Sequence, residues 1–383
     1  MPTVKAFPHF FSQTDPSILH DIQTVTTYLM QHYHAKCYVV GGAVRDRLLG
    51  IECKDYDMEC FGISVEDFEQ AMADLGAQGV GKSFFVYKYN DLDIALPRTE
   101  EKVGKGHRAF AVRLASKEEE ASRRRDFTVN ALMYDIEKEV IVDFWGGLED
   151  LQTKVLRVVD EKTFTEDSLR VLRAMQFSAR FGFKIEEKSC RLSQNIPLDD
   201  LPKERIFSEF EKMFKGRYLH YGLYYLFALG IAKKLFNEEI ERKTYITLGL
   251  RLQKNRENFQ ETLQPYYFMF MVGRYLKSDM HTILDRLGAS KQYYKKVASM
   301  PALPSDVTAS FLAKVALKEG IVHYVGNYDA KVIALSKKLG IWEKPFDRGV
   351  TPTQLLEEGF SGKALGDELT RRTKAKINAL KEK

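Results

Sequence analysis

Strand signals in this chain stop near residue 160. Up to Val159, β-branched and aromatic runs alternate with helical patterns, and from Thr165 onward helical periodicity continues to the end. That change of period predicts an α/β head, a mixed sheet with helices, followed by an all-helical remainder. Ile18, Ile22, Val25 and Leu29 recur at near-helical spacing within Asp15 to His34, leading into a strand at Cys37-Tyr38-Val39-Val40. Ser64 opens a further helix in capping-box fashion, and Phe84 to Tyr89 and Leu92 to Leu96 read as strands, the second ending at Pro97. The expected segments are a head over 1–159, a neck over 160–215, a body over 216–328 and a tail over 329–383.

Composition narrows the class without choosing a function. Of 383 residues, 44% are hydrophobic and 29% charged, which suits a globular protein with sizeable cores. Cys37, Cys53, Cys60 and Cys190 form no CxxC pair and are too few for a disulfide framework, so a reducing, cytoplasmic setting is expected. The N-terminus lacks a basic segment followed by an apolar run. The most apolar stretch, Tyr221 to Ala232, is too short to span a bilayer, so no membrane association is expected. The net charge of +5 helps attract a polyanion without specifying one.

Between the first strand and a short helix over Ala43 to Leu49 stand Gly41 and Gly42. Paired glycines let phosphate oxygens approach backbone N–H groups at a helix start, and Arg45 adds a full charge. Asp55 and Asp57 follow, two apart; on a strand both carboxylates project from one face and can chelate a hard cation such as Mg2+. Taken singly, these are a tight turn and a solvated acidic pair; in this order they suit a nucleoside triphosphate and its metal. Asp91 and Asp93 lie on a second alternating strand. Asp93 is the candidate third carboxylate, the alternative being an edge-strand acid facing water.

In this order the glycine turn and the aspartate pair resemble the head of the nucleotidyltransferase superfamily. The closest likeness is to class II tRNA nucleotidyltransferases (CCA-adding enzymes) and their bacterial poly(A) polymerase relatives. Arg125-Asp126-Phe127-Thr128-Val129-Asn130-Ala131 is similar to the family's second signature, and the resemblance implies that Arg125 and Asp126 contact the ribose and phosphates of the incoming nucleotide. Glu166-Asp167-Ser168-Leu169-Arg170 resembles its base-selecting signature, with Arg173 supporting the nucleotide's phosphates or the templating pair Asp167 and Arg170. The chemistry of selection follows from the groups themselves. Cytosine and adenine both offer an exocyclic amine beside a ring-nitrogen acceptor, which a carboxylate plus a guanidinium satisfies; uracil and guanine present the reverse pattern. Asp167 and Arg170, three apart on a helix, would share a face.

The resemblance runs from about Tyr38 to Met213. It departs at Gln176, where the family commonly has arginine, which puts one phosphate or base-support contact in doubt. Glu204-Arg205-Ile206-Phe207-Ser208-Glu209 is similar to a helix that braces the neck. Arg98 to Arg113, with Lys105 and Arg108 among glycines, resembles a full-length flexible loop used when the site switches to adenosine. Near the C-terminus Arg371, Arg372 and Lys374 form a candidate RNA-backbone grip, and a solvated amphipathic helix is the alternative. His20-Asp21 reads as helix surface. The implied reaction is template-independent addition of C, C and A to the 3′ end of tRNA, with CTP and ATP as donors and pyrophosphate released. A poly(A) polymerase or A-only enzyme is the alternative within the same chemistry, and a catalytically silent RNA-binding protein the alternative outside it.

Overall fold

The computed structural model describes residues 1–53, 55–80, 85–102, 110–255, 264–273, 275–276 and 278–382. The chain forms two compact units, Met1–Ala174 with Gly182–Leu201, and Met175–Phe181 with Pro202–Lys383.

The first unit is the expected mixed sheet with helices. Its elements begin β1 (Thr3–Ala6), α1 (Pro16–Tyr33), β2 (Lys36–Val40), α2 (Gly42–Leu48), β3 (Tyr56–Phe61) and α3 (Val65–Asp74). There follow β4 (Gln78–Gly79), β5 (Val86–Tyr89), β6 (Leu92–Ala95), β7 (Arg98–Lys102), β8 (Phe110–Leu114) and α4 (Glu118–Arg123). Next come β9 (Met133–Asp135), β10 (Val140–Asp143), α5 (Gly147–Thr153), β11 (Val155–Leu156), α6 (Glu161–Thr165), α7 (Leu169–Phe181, of which Met175–Phe181 belongs to the second unit), β12 (Lys184–Ile185) and α8 (Glu187–Gln194).

Eight strands make one sheet in the order β1-β10-β9-β2-β3-β6-β5-β4. β2 is central, and Cys37, Tyr38, Val39 and Val40 are all buried, so both faces of that strand are covered. β3 pairs antiparallel with β2 and parallel with β6, which makes the sheet mixed. α1 buries Ile22, Val25 and Leu29, is capped by the Asp15 side chain on the Ser17 N–H, and ends on His34 in the left-handed region. Ser64 caps α3 through the Asp67 N–H, and Asp67 answers the Ser64 hydroxyl rather than its backbone N–H, so the capping box is half formed. Part of the expected loop over 98–113 is a two-stranded hairpin of β7 and β8.

The second unit is helical, as the periodicity predicts. Its helix Lys203–Phe214 buries Ile206, Phe210, Met213 and Phe214 along one stripe. The apolar run Tyr221 to Ala232 is divided between helices Leu219–Ala228 and Ile231–Phe236. Among the described residues no helix is long and apolar enough to cross a membrane.

Candidate active site

Gly41 sits at the N-cap of α2 with φ +70° and ψ −127°, a backbone region that strains any residue carrying a Cβ. A Cβ there would also lie 2.5 Å from Nη1 of Arg125, so that guanidinium would have to move. Among the described residues no side chain caps the start of α2. Arg45 is only 4% exposed. Its Nε donates to Asp46 at 2.8 Å and its Nη1 to the side-chain oxygen of Asn130. Its guanidinium therefore braces the glycine turn from the interior.

The three candidate carboxylates lie at one place in the sheet. Asp57 on β3 and Asp93 on β6 are register partners across the parallel pair, and Asp55 immediately precedes β3; all three residues are exposed. Asp55 is thus just outside the strand on which it was expected. Lys88, opposite Asp93 on β5, holds a loose ion pair with it at 4.0 Å. The Asp57 carboxyl is pushed above its ordinary range. Desolvation is the main cause, Arg125 opposes it, and the charges of Asp93, Glu59 and Asp55 add to the rise. Although the residue reaches solvent, its carboxylate sits among like charges that a divalent cation would relieve. Hard oxygen donors in this pattern suit such an ion, yet among the described residues no three His, Cys, Asp or Glu side chains are grouped closely enough to hold one as they stand.

Glu59, two residues beyond Asp57 on the same strand face, was not singled out from the sequence. It is 3% exposed, and one of its oxygens accepts from Arg124 at 3.1 Å and from Arg125 at 2.8 Å. Burial works against its charge, but the two guanidinium groups outweigh that and hold the carboxyl below its usual range. The available signal was the alternation Asp55-Tyr56-Asp57-Met58-Glu59, which puts a third acid on the face of Asp57.

Asp126 is 6% exposed and fully engaged within the fold. One oxygen accepts from the Phe127 N–H and the Asn130 amide, each at 2.8 Å, and the other from Nε of Arg173 at 2.6 Å. Desolvation opposes its ionisation, while Arg173, Asn130 and Arg170 more than offset it, so its carboxyl is held below the ordinary range. Arg45, Asn130, Asp126 and Arg173 thereby form one hydrogen-bonded chain from α2 to α7. The short 3-10 turn that carries Asn130 is fixed from behind: the Thr128 hydroxyl donates to Asp150 at 2.7 Å, and Arg157 grips the same carboxylate. α5 approaches that turn so closely that a Cβ on Gly147 would lie 2.3 Å from the Thr128 carbonyl oxygen.

Asp167 precedes α7 instead of lying in it, and its carboxylate accepts the Leu169 N–H at 3.1 Å. The shared helix face is therefore replaced by a cap followed, three residues on, by Arg170. Arg170 donates to the backbone carbonyls of Thr163 and Arg124, which fixes its guanidinium. Arg124 and Thr163 also line a cleft of about 730 Å³ with Arg113, Lys117, Lys162 and Glu166. Gln176, in the second unit, is 2% exposed, a position where a neutral amide needs no counter-charge and an arginine would. Lys105 and Arg108 lie outside the described residues. Arg371 pairs with Glu368, Arg372 with Glu368 and Glu358, while Lys374 is exposed. Two of the three tail residues thus already have carboxylate partners.

Residues 37–157 match the sequence profile described as Poly A polymerase head domain, and residues 182–243 that described as Probable RNA and SrmB- binding site of polymerase A. The Multifunctional CCA protein of Nitrosospira multiformis is 38% identical over 212 residues, covering 53% of this chain and 50% of that protein. Its counterpart in Pasteurella multocida is 42% identical over 189 residues, covering 46% and 43%. The chain spans about half the length of the curated relatives it matches. Among solved structures, the Thermotoga maritima CCA-adding enzyme complexed with tRNA-CCA aligns with TM-score 0.70 and 24% identity, over 100% of this chain and 96% of that one. The Bacillus stearothermophilus CCA-adding enzyme in complex with CTP gives 0.65 and 21%, over 96% and 94%. Residues 37–157 are thus similar to a Poly A polymerase head domain, about half of the chain is similar to CCA proteins, and the fold is that of CCA-adding enzymes.

Proposed function

We propose that this chain adds C, C and A to the 3′ end of tRNA, taking CTP and ATP as donors and releasing pyrophosphate. The observation that carries the reading is the registered pair Asp57 and Asp93 beside the glycine turn and Arg125. The likeness to CCA-adding enzymes implies a divalent cation at the site. We take it to be Mg2+ held by Asp55 and Asp57, with Asp93 as the third carboxylate. Such ions, when bound, lower the pKa of the RNA 3′-hydroxyl and neutralise charge on the leaving pyrophosphate.

The chain's own groups supply position and selection. The uncapped start of α2 after Gly41 and Gly42 offers backbone N–H groups to the triphosphate, and Arg125 lies against that turn with a fork suited to phosphate oxygens. Arg45 keeps the turn in shape from the buried side. Asp126 has three hydrogen bonds on a carboxylate with roughly four acceptor sites, leaving one for a ribose hydroxyl. Arg170 spends two of the roughly five donors of a guanidinium on backbone carbonyls and presents the rest to the base with Asp167. Arg173 steadies Asp126. In-line attack by the RNA 3′-oxygen on the α-phosphorus forms the new phosphodiester as the bond to pyrophosphate breaks.

Within the helical unit, Lys374 is the tail residue placed to meet an RNA phosphate directly; Arg371 and Arg372 would first have to exchange carboxylate partners. The Cys37 thiol donates to the Cys60 sulfur at 3.8 Å and both cysteines are free thiols, which fits a reducing compartment such as the cytoplasm. Pyrophosphate release tests the reading. With tRNA lacking its CCA, Mg2+ and CTP, release should be rapid, and it should cease without RNA or with EDTA. Release that ignores RNA would contradict it.

A further inference from the structure

We infer that Glu59 is the positioning residue of the nucleotide site: its buried carboxylate sets the Arg125 guanidinium against the glycine turn and so fixes where the triphosphate binds. The inference rests on the nucleotidyl-transfer reading above and adds a residue that reading did not contain.

Three observations meet at Glu59. It stands on β3 two residues after Asp57, on the same strand face, so the strand that bears the candidate metal ligand also bears the anchor for the arginine. A single oxygen of Glu59 receives both Arg124 and Arg125, while its second oxygen is buried with no hydrogen-bond partner among the described residues. The far side of the Arg125 guanidinium is defined by Gly41, where even one added carbon would fall 2.5 Å from Nη1. The guanidinium is thus held between a buried carboxylate and a backbone turn, with Nη2 on the anchor and Nη1 at the glycine.

A buried carboxylate with one oxygen unbonded is costly, and two arginines converging on the other oxygen is not how a structural ion pair is ordinarily completed. A structural pair would gain most from a two-oxygen fork with one arginine. The shared oxygen instead gathers two guanidinium groups at one carboxylate on β3, and one of them, Arg125, lies against the glycine turn. That placement makes Glu59 a range-finder for Arg125: it acts on the nucleotide through the arginine and does not itself touch substrate.

The test is a double-mutant cycle of Glu59→Gln and Arg125→Gln, read as KM for CTP and kcat of CMP incorporation, with melting temperature recorded for each protein. Glu59→Gln should raise KM about tenfold while kcat falls much less, and in the Arg125→Gln background it should add almost nothing, because the group it positions is gone. Glu59→Asp keeps the charge on a shorter arm. It should fold and show the same KM-dominated defect at smaller size, so the question stays answerable if the amide variant does not fold. Equal penalties from Glu59→Gln with and without Arg125, or a loss confined to melting temperature, would overturn the inference. If the wild-type chain incorporates no nucleotide, the functional reading fails instead, and the two failures are distinguished.

Discussion

Asp57 on β3 and Asp93 on β6 are register partners across a parallel strand pair, so two carboxylates from segments 36 residues apart stand abreast at one point of the sheet. A site built from them should fail when either is removed. Asp57→Ala and Asp93→Ala are each expected to lower nucleotide incorporation by about a thousandfold or more, the several kcal/mol that metal-assisted charge stabilisation provides. Affinity for tRNA, measured by filter binding, should change little.

Gly41→Ala attacks the same centre from the other side. A left-handed φ costs a residue with a Cβ about 1–2 kcal/mol, and the new methyl must also displace Arg125. Expected together are a melting temperature lower by roughly 2–6 °C and a KM for CTP and ATP raised about tenfold or more. An unchanged KM would show that Arg125 is not a nucleotide contact.

Arg173→Ala leaves the Asp126 carboxylate buried without its cation. The cost should be about 2 kcal/mol or more, short of the roughly 3–5 expected for a fully buried pair because the Arg173 side chain is a third exposed. The pH dependence follows from the lowered Asp126 carboxyl. Its stabilisation is complete above the unfolded value of about 3.9 and is lost as pH falls through the lower folded value. Urea melts across pH 2 to 7 should show the variant losing less stability than the wild type at the acid end.

Arg170→Ala tests the base reader. Removing a guanidinium that is pre-set by two backbone carbonyls should cut the preference for CTP and ATP over UTP and GTP by about tenfold or more, in line with roughly 1–3 kcal/mol per base contact. Competition assays with the four nucleotides at fixed tRNA measure it. An equal loss for all four would mean that Arg170 supports binding and does not select.

Much of the head was legible because its chemistry is local. Gly41, Gly42, Asp55, Asp57 and Asp93 sit in short motifs flanked by apolar alternation; strand pairing sets Asp57 beside Asp93 and beside Val40, the residue before Gly41, while Asp55 falls just outside β3. What stayed hidden depends on contacts distant in sequence. The Asp126 to Arg173 pair joins residues 47 apart, and the Glu59 to Arg125 pair residues 66 apart; no spacing rule announces either. β9 has three residues and β1 four exposed ones, too few for a period-2 signal to emerge. Asp167 was placed in a helix because its spacing to Arg170 is helical, whereas an aspartate just before an apolar helix is better satisfied as a cap. In the helical unit the periodicity showed the elements. The tail arginines nonetheless turned to Glu368, three and four residues away on the same helix, and Arg372 also to Glu358, 14 residues earlier at the C-cap of the preceding helix; both carboxylates compete with any phosphate.

The most direct measurement is the length and sequence of the RNA 3′ end after incubation of tRNA lacking CCA with the protein, Mg2+, and CTP and ATP singly or together. Two cytidines with CTP alone, and CCA and no more with both, are the predicted products. Addition of only one A to tRNA already ending in CC, a long adenosine tract, or no extension at all would contradict CCA addition by this chain.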